Sequence, residues 1–199
     1  MNQNLKIRKS VEEALAELRL LSNQKNTAAI REIAEALIDT IRAGQRIYFC
    51  GNGGSAADSQ HLAAEFVGRF QLKRRGLSAV SLTTDTSILT SIGNDYGFKS
   101  VFSRQLEALA KKNDLLFIFS TSGKSENVIF AARKAKELGL KIVALTGRDG
   151  GPLKRLATIA LVAPGKNTAR IQEAHMLIAH ILIETVEKSL FKESPTTKN

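Results

Sequence analysis

The sequence predicts an α/β protein: a parallel sheet with helices on both faces. Three observations predict it. Apolar, β-branched runs at 46–50, 78–82, 115–119, 141–145 and 158–162 read as strands. Segments with helical spacing separate them, and strands joined through helices run parallel. Two of the strands run directly into short loops rich in glycine, serine and threonine, and each loop leads into a helix.

Taken in order, the chain opens with a helical segment over 1–44. Residues 11–21 carry apolar side chains at helical spacing. A second helix is expected over 27–43 and stops at Gly44, a helix-ending residue. This pair must bury its apolar stripes, and packing against another subunit is an economical answer. The α/β domain follows over 45–192. Its first strand, 46–50, leads to a helix over 55–70. After the strand at 78–82 come helical stretches near 87–92 and 98–110, with Asn94-Asp95-Tyr96-Gly97 as a polar interruption suited to an Asx turn. The strand at 115–119 precedes a helix over 125–138, and the strand at 141–145 precedes a loop over 146–152. The last strand, 158–162, precedes a long helix over 168–191. Residues 193–199 form a polar tail, expected to be disordered.

Composition bounds the rest. A chain of 199 residues, 43% hydrophobic, suits one globular domain with a sizeable core. No apolar run is long enough to span a membrane, and residues 1–10 lack the apolar stretch of a signal peptide. The single cysteine, Cys50, excludes an intrachain disulfide and fits a reducing, cytoplasmic setting. Its position in an apolar run reads as a small buried strand residue. The net charge of +10 raises nucleic acid as a partner. However, the positive residues are scattered, only Lys73-Arg74-Arg75 forms a run, and no nucleic-acid motif is present. A basic surface that attracts anionic metabolites is the milder reading.

The two loops are Gly51-Asn52-Gly53-Gly54-Ser55 and Ser120-Thr121-Ser122-Gly123-Lys124-Ser125. Glycine lets the backbone approach a ligand closely, and a helix N-terminus presents N–H groups with partial positive charge. Together the loops suggest one anion site for a phosphorylated small molecule. A dinucleotide fingerprint is only partly met: the acidic Asp85 lies 34 residues after Gly51 rather than about 20. A Walker A loop is also incomplete, because Ile118 stands where it needs glycine. No nucleotide cofactor is expected.

His61 and Glu65 lie four apart on the first helix after the glycine loop, so they share a face. They read equally as a surface ion pair or as a metal-binding or proton-transfer pair. Gln172, His175 and His180 fall on the last helix among apolar residues. One buried, hydrogen-bonded histidine there would be ordinary.

Together, the stretches at 51–70, 82–98, 120–128, 144–151 and 168–184 resemble the sugar isomerase (SIS) domain family, and within it the phosphoheptose isomerases. The resemblance implies a flavodoxin-like parallel sheet flanked by helices, a homotetramer, and conversion of sedoheptulose 7-phosphate to D-glycero-D-manno-heptose 7-phosphate for lipopolysaccharide or capsule. It implies substrate contacts from Asn52, Gly53, Gly54, Ser55, Arg69, Asn94, Asp95, Ser120, Thr121, Ser122, Ser125 and Gln172. Glu65 matches the catalytic base and also a substrate contact; His180 matches its acid–base partner. His61, Glu65, Gln172 and His180 match a zinc set, one ion per subunit. A related branch that assists a replication initiator loses the acid–base residues, which this chain keeps. A phosphosugar-sensing regulator would carry a DNA-binding domain, for which no segment is left over. Gln172 and His180 are eight residues apart on one expected helix, about 12 Å along its axis. They can hardly meet at one zinc, so either that helix begins later or the two come from different chains. We therefore expect His180 to complete a neighbouring subunit's site.

Overall fold

In the computed structural model, which describes residues 2–191, five parallel strands lie in the order β2-β1-β3-β4-β5. They are β1 (Ile47–Cys50), β2 (Ala79–Ser81), β3 (Leu115–Ser120), β4 (Lys141–Thr146) and β5 (Ile159–Val162). This is the flavodoxin-like order, with its switch point between β1 and β3. The polar tail over 193–199 lies outside the described residues.

Side chains alternate across each strand, as the period of two requires. Ile47 and Phe49 of β1 and Leu115, Phe117 and Phe119 of β3 face one core layer. Tyr48, Cys50, Leu116 and Ile118 face the other. The first layer is closed by α2 (Gln24–Arg42), α3 (Gly54–Val67) and α8 (Thr168–Leu190). The second is closed by α5 (Ser103–Leu109), α6 (Glu126–Glu137) and α7 (Gly151–Leu156). Cys50 is fully buried, and burial pushes its thiol pKa up, so it is inert core.

The N-terminal pair divides. α2 buries Ile30, Ile33, Leu37 and Ile41 in the chain's own core, so its stripe needs no second subunit. α1 (Gln3–Arg19) has no fully buried residue: Leu18 near its end packs partly on the core, but Leu5, Ile7, Val11 and Leu15 are all exposed. Two other expectations change. Asn94 and Asp95 do not interrupt two helices; they lie in the last turn of α4 (Thr86–Tyr96), and the break comes at Gly97, whose φ is 80°. The loop after β4 also ends sooner than expected, because Pro152 suits a first helical turn and starts α7.

Candidate phosphosugar and acid–base site

The glycine loop follows β1 and the serine loop follows β3. These strands are neighbours, with Cys50 paired to Ile118, so the two loops meet at the switch point. Gly53 there has φ 56°, a left-handed conformation that glycine adopts without steric cost, and it hands the chain to α3. The loops enclose a polar cavity of about 90 Å³ lined by Asn52, Ser55, Phe119, Ser120, Thr121, Ser122 and Ser125. That is roughly the liquid volume of three waters, the scale of one anionic group. Ser125 occupies the N-cap of α6, yet its side chain makes no capping bond. Ser125 lines the cavity. Ser120 Oγ and Ser122 Oγ accept from the backbone N–H groups of Gly123 and Lys124, which shapes the loop.

Asn127 carries no signal in the sequence, yet it joins the loops. It is buried in the first turn of α6 and exchanges two amide hydrogen bonds with Asn52, at 2.8 and 2.7 Å. Asn52 therefore serves at least partly as a brace.

α3 and α8 pack side by side and run in the same direction. Gly54 abuts the Gln172 side chain at one end, where a Cβ on Gly54 would collide with the amide. Seven residues on, His61 Nε2 lies 3.1 Å from His180 Nε2. His61 Nε2 also lies 3.6 Å from Glu65 Oε1. The Phe70 ring stacks on His180 with centroids 5.5 Å apart. One chain thus gathers His61, Glu65 and His180. This corrects the expectation that His180 completes a neighbour's site, for the close packing of α3 on α8 supplies the pairing internally. α8 begins at Thr168 as expected, so the later start is ruled out too. Gln172 stays at the phosphate-loop end, about two turns from His180, and does not join the other three.

The donor types of His61, Glu65 and His180 suit zinc. Two zinc ligands at tetrahedral angles stand roughly 3.3–3.6 Å apart, near the two separations on His61. Even so, no three His, Cys, Asp or Glu side chains among the described residues form a ready metal cluster. The fit is therefore pairwise, and Gln172 is outside it.

His175 is the ordinary histidine of α8. It is fully buried against Phe119, pairs through Nε2 with the Thr146 carbonyl at 3.0 Å, and burial lowers its pKa to about 4. Asp58, one turn before His61, has a buried Oδ2 without a hydrogen-bond partner, and its pKa rises to about 6, mainly through burial. Arg69, Asn94 and Asp95 are exposed and do not line the cavity; Asn94 donates to Asp95. Asp85 caps α4 by accepting from Ile88 N–H at 2.9 Å, an ordinary structural use.

This geometry has counterparts. The SIS domain family matches residues 11–147. The chain belongs to the SIS domain family. A phosphoheptose isomerase of Clostridium acetobutylicum is 47% identical over 94% of both chains. One from Helicobacter pylori is 56% identical over 76% of this chain and 79% of its own. The structure of a phosphoheptose isomerase from Francisella tularensis superposes with a TM-score of 0.90 at 34% identity, covering 94% of this chain and all of that one. The matched region holds both loops, and α8 lies beyond it.

Proposed function

We propose that this SIS-domain protein is a phosphoheptose isomerase, an aldose–ketose isomerase acting on sedoheptulose 7-phosphate in heptose biosynthesis. The observation that carries this reading is that one helix, α3, serves both parts within one chain: Ser55 in its first turn lines an anion-sized loop cavity, and His61 and Glu65 further along form a carboxylate–imidazole cluster with His180. The isomerisation moves a proton from the carbon next to the carbonyl to the carbonyl carbon itself, through an enediol. Glu65 takes the carbon proton and returns it to the neighbouring carbon, while His180 moves the hydroxyl proton. The loop hydroxyls and backbone N–H groups of 52–55 and 120–125 hold the phosphate. Gln172, beside Gly54, contacts the sugar near that end. Asn94, Asp95 and Arg69 are proposed as further substrate contacts on the family resemblance.

Zinc is proposed at His61, Glu65 and His180, supported by their donor types and spacing. When bound, zinc stabilises charge on the sugar oxygens. Metal analysis of the purified protein, with Glu65→Gln alongside, checks it.

We also propose a homotetramer. Side chains of Glu65 and His61 are 22% and 46% exposed, an open setting for chemistry that benefits from excluding water. A neighbouring copy would cover them. A mainly apolar cavity of about 460 Å³, lined by Leu18, Leu21, Ile30, Ala34, Leu177 and Ile181 among others, also lies open beside the uncovered α1. No helix among the described residues is long and apolar enough to cross a membrane. A cytoplasmic setting is proposed on the family's account. The deciding experiment incubates the purified protein with sedoheptulose 7-phosphate and follows formation of the aldose. Absence of turnover with and without added zinc would refute the reading.

A further inference from the structure

The segment between α3 and β2 is joined to α8 by an ion pair that the chemistry above does not use. Arg74 and Glu187 have side chains 0% and 1% exposed, and Arg74 Nε donates to Glu187 Oε1 at 2.7 Å. Unpaired, either charge would be costly to bury. Glu187 is seven residues after His180, two turns along the same face of α8. Its carboxylate also accepts from three successive backbone N–H groups: Phe70 at 2.9 Å, Gln71 at 2.8 Å and Leu72 at 3.0 Å. Burial alone would raise the pKa of Glu187, but these donors and Arg74 outweigh it and hold it below the usual value.

Arg74 reaches the other way. Its Nη2 donates to the Glu65 carbonyl at 2.7 Å, and its Nη1 to the Phe66 carbonyl at 2.9 Å. These carbonyls lie in the last turn of α3, where backbone acceptors lack helical partners and the helix dipole favours a cation. The two ends of the pair therefore terminate on the site itself. One holds the backbone of Glu65. The other holds the backbone of Phe70, whose ring stacks on His180. The basic run at 73–75 contributes this buried residue rather than a basic patch.

We propose that Arg74 and Glu187 are positioning residues of the isomerase: together they fix Glu65 on the end of α3 and hold Phe70 against His180. The inference rests on the assignment of Glu65 and His180 above. A buried ion pair is a weak stabiliser compared with apolar side chains of similar volume, but it is directional. Here its directions converge on the acid–base residues, whose misplacement by about 1 Å can lower a rate by about two orders of magnitude.

The test compares Glu187→Gln, the double variant Arg74→Met/Glu187→Met, Phe70→Leu and Glu65→Gln, each in the full chain. Glu187→Gln should lower kcat by about tenfold or more and change KM by less than about threefold, because the phosphate loops are untouched. The double variant removes both charges, so its melting temperature should match or exceed that of Glu187→Gln. Its kcat should stay low. A merely structural pair predicts that stability and kcat recover together. Phe70→Leu leaves the ion pair intact and should lower kcat alone. Wild-type kcat in Glu187→Gln, or in a folded double variant, overturns the proposal. Should both fail to fold, wild-type kcat in Phe70→Leu overturns it and a lowered kcat supports it. Full turnover by Glu65→Gln would instead sink the site assignment, and this inference with it.

Discussion

Glu65 sits two residues before the end of α3, its backbone carbonyl capped by Arg74 and its carboxylate beside His61. Glu65→Gln keeps the shape but cannot accept a proton, so turnover should fall by about 10²–10⁴-fold with substrate binding largely intact. Steady-state kinetics and substrate titration of the variant check this together. Ser120 and Ser125 line the cavity rather than the acid–base cluster. Alanine at either should raise KM more than it lowers kcat. A collapsed kcat with unchanged KM would contradict the phosphate role. His175 gives a pH-dependent term. Its pKa is about 4 in the fold against an ordinary 6.5, so between these values the unfolded chain binds the extra proton. The neutral imidazole's contribution is therefore complete above about pH 6.5 and is lost as pH falls toward 4, by up to about 1.4 kcal/mol per pH unit. Asp58 works in the opposite sense, its raised pKa penalising the charged form as pH rises toward 6. Comparing wild type with His175→Gln isolates the histidine: the variant's melting temperature should fall less between pH 7 and pH 5.

At the scale of elements, the parallel contact of α3 and α8 is what makes a site. They touch where Gly54 abuts the Gln172 side chain. A methyl group on Gly54 would collide with the Gln172 amide, the far end of a flexible side chain, so Gln172 would swing away while the helices stay in place. Gly54→Ala should therefore raise KM by displacing Gln172 and cost little stability. Kinetics and chemical denaturation measure the two effects, and a wild-type KM would show that Gln172 is not needed where it stands. The same helix pair explains why the histidines of α8 divide. His175 and His180 are five residues apart, so they leave the helix in different directions. One points into the core beside Phe119, the other toward α3.

At the scale of the whole molecule, one chain holds Glu65 and His180, while most of α1 and one flank of the candidate site are left uncovered by the chain itself. Mixed oligomers of Glu65→Gln and His180→Gln therefore contain no intact acid–base set. Subunit exchange should produce no activity above either parent. Restored activity in verified hybrids would show that the two residues work across a subunit boundary, against the packing seen here. Arg74 is buried in an ion pair, and Lys124 is bridged to Asp149 at 3.3 Å.

Much of this was readable along the chain because the signals are local. Strand runs, helix periods and the two glycine–serine loops depend on neighbours a few residues away, and so the α/β class and the phosphate-type loops follow from spacing alone. His61 and Glu65 share a helix face for the same reason. Other features required the tertiary structure because they join distant segments. Asn127 pairs with Asn52 across 75 positions, and Glu187 reaches Arg74 across 113, with no local pattern to announce either. Residue periodicity left open which histidine of α8 meets the His61–Glu65 pair, and whether it does so within one chain; it is His180, through His61. The twist and layering of the sheet decided that, by laying α8 along α3 in the same direction. α2 and α1 show the limit from the other side. Both carry apolar stripes, but only the packed fold shows that one is covered by its own chain and the other is not.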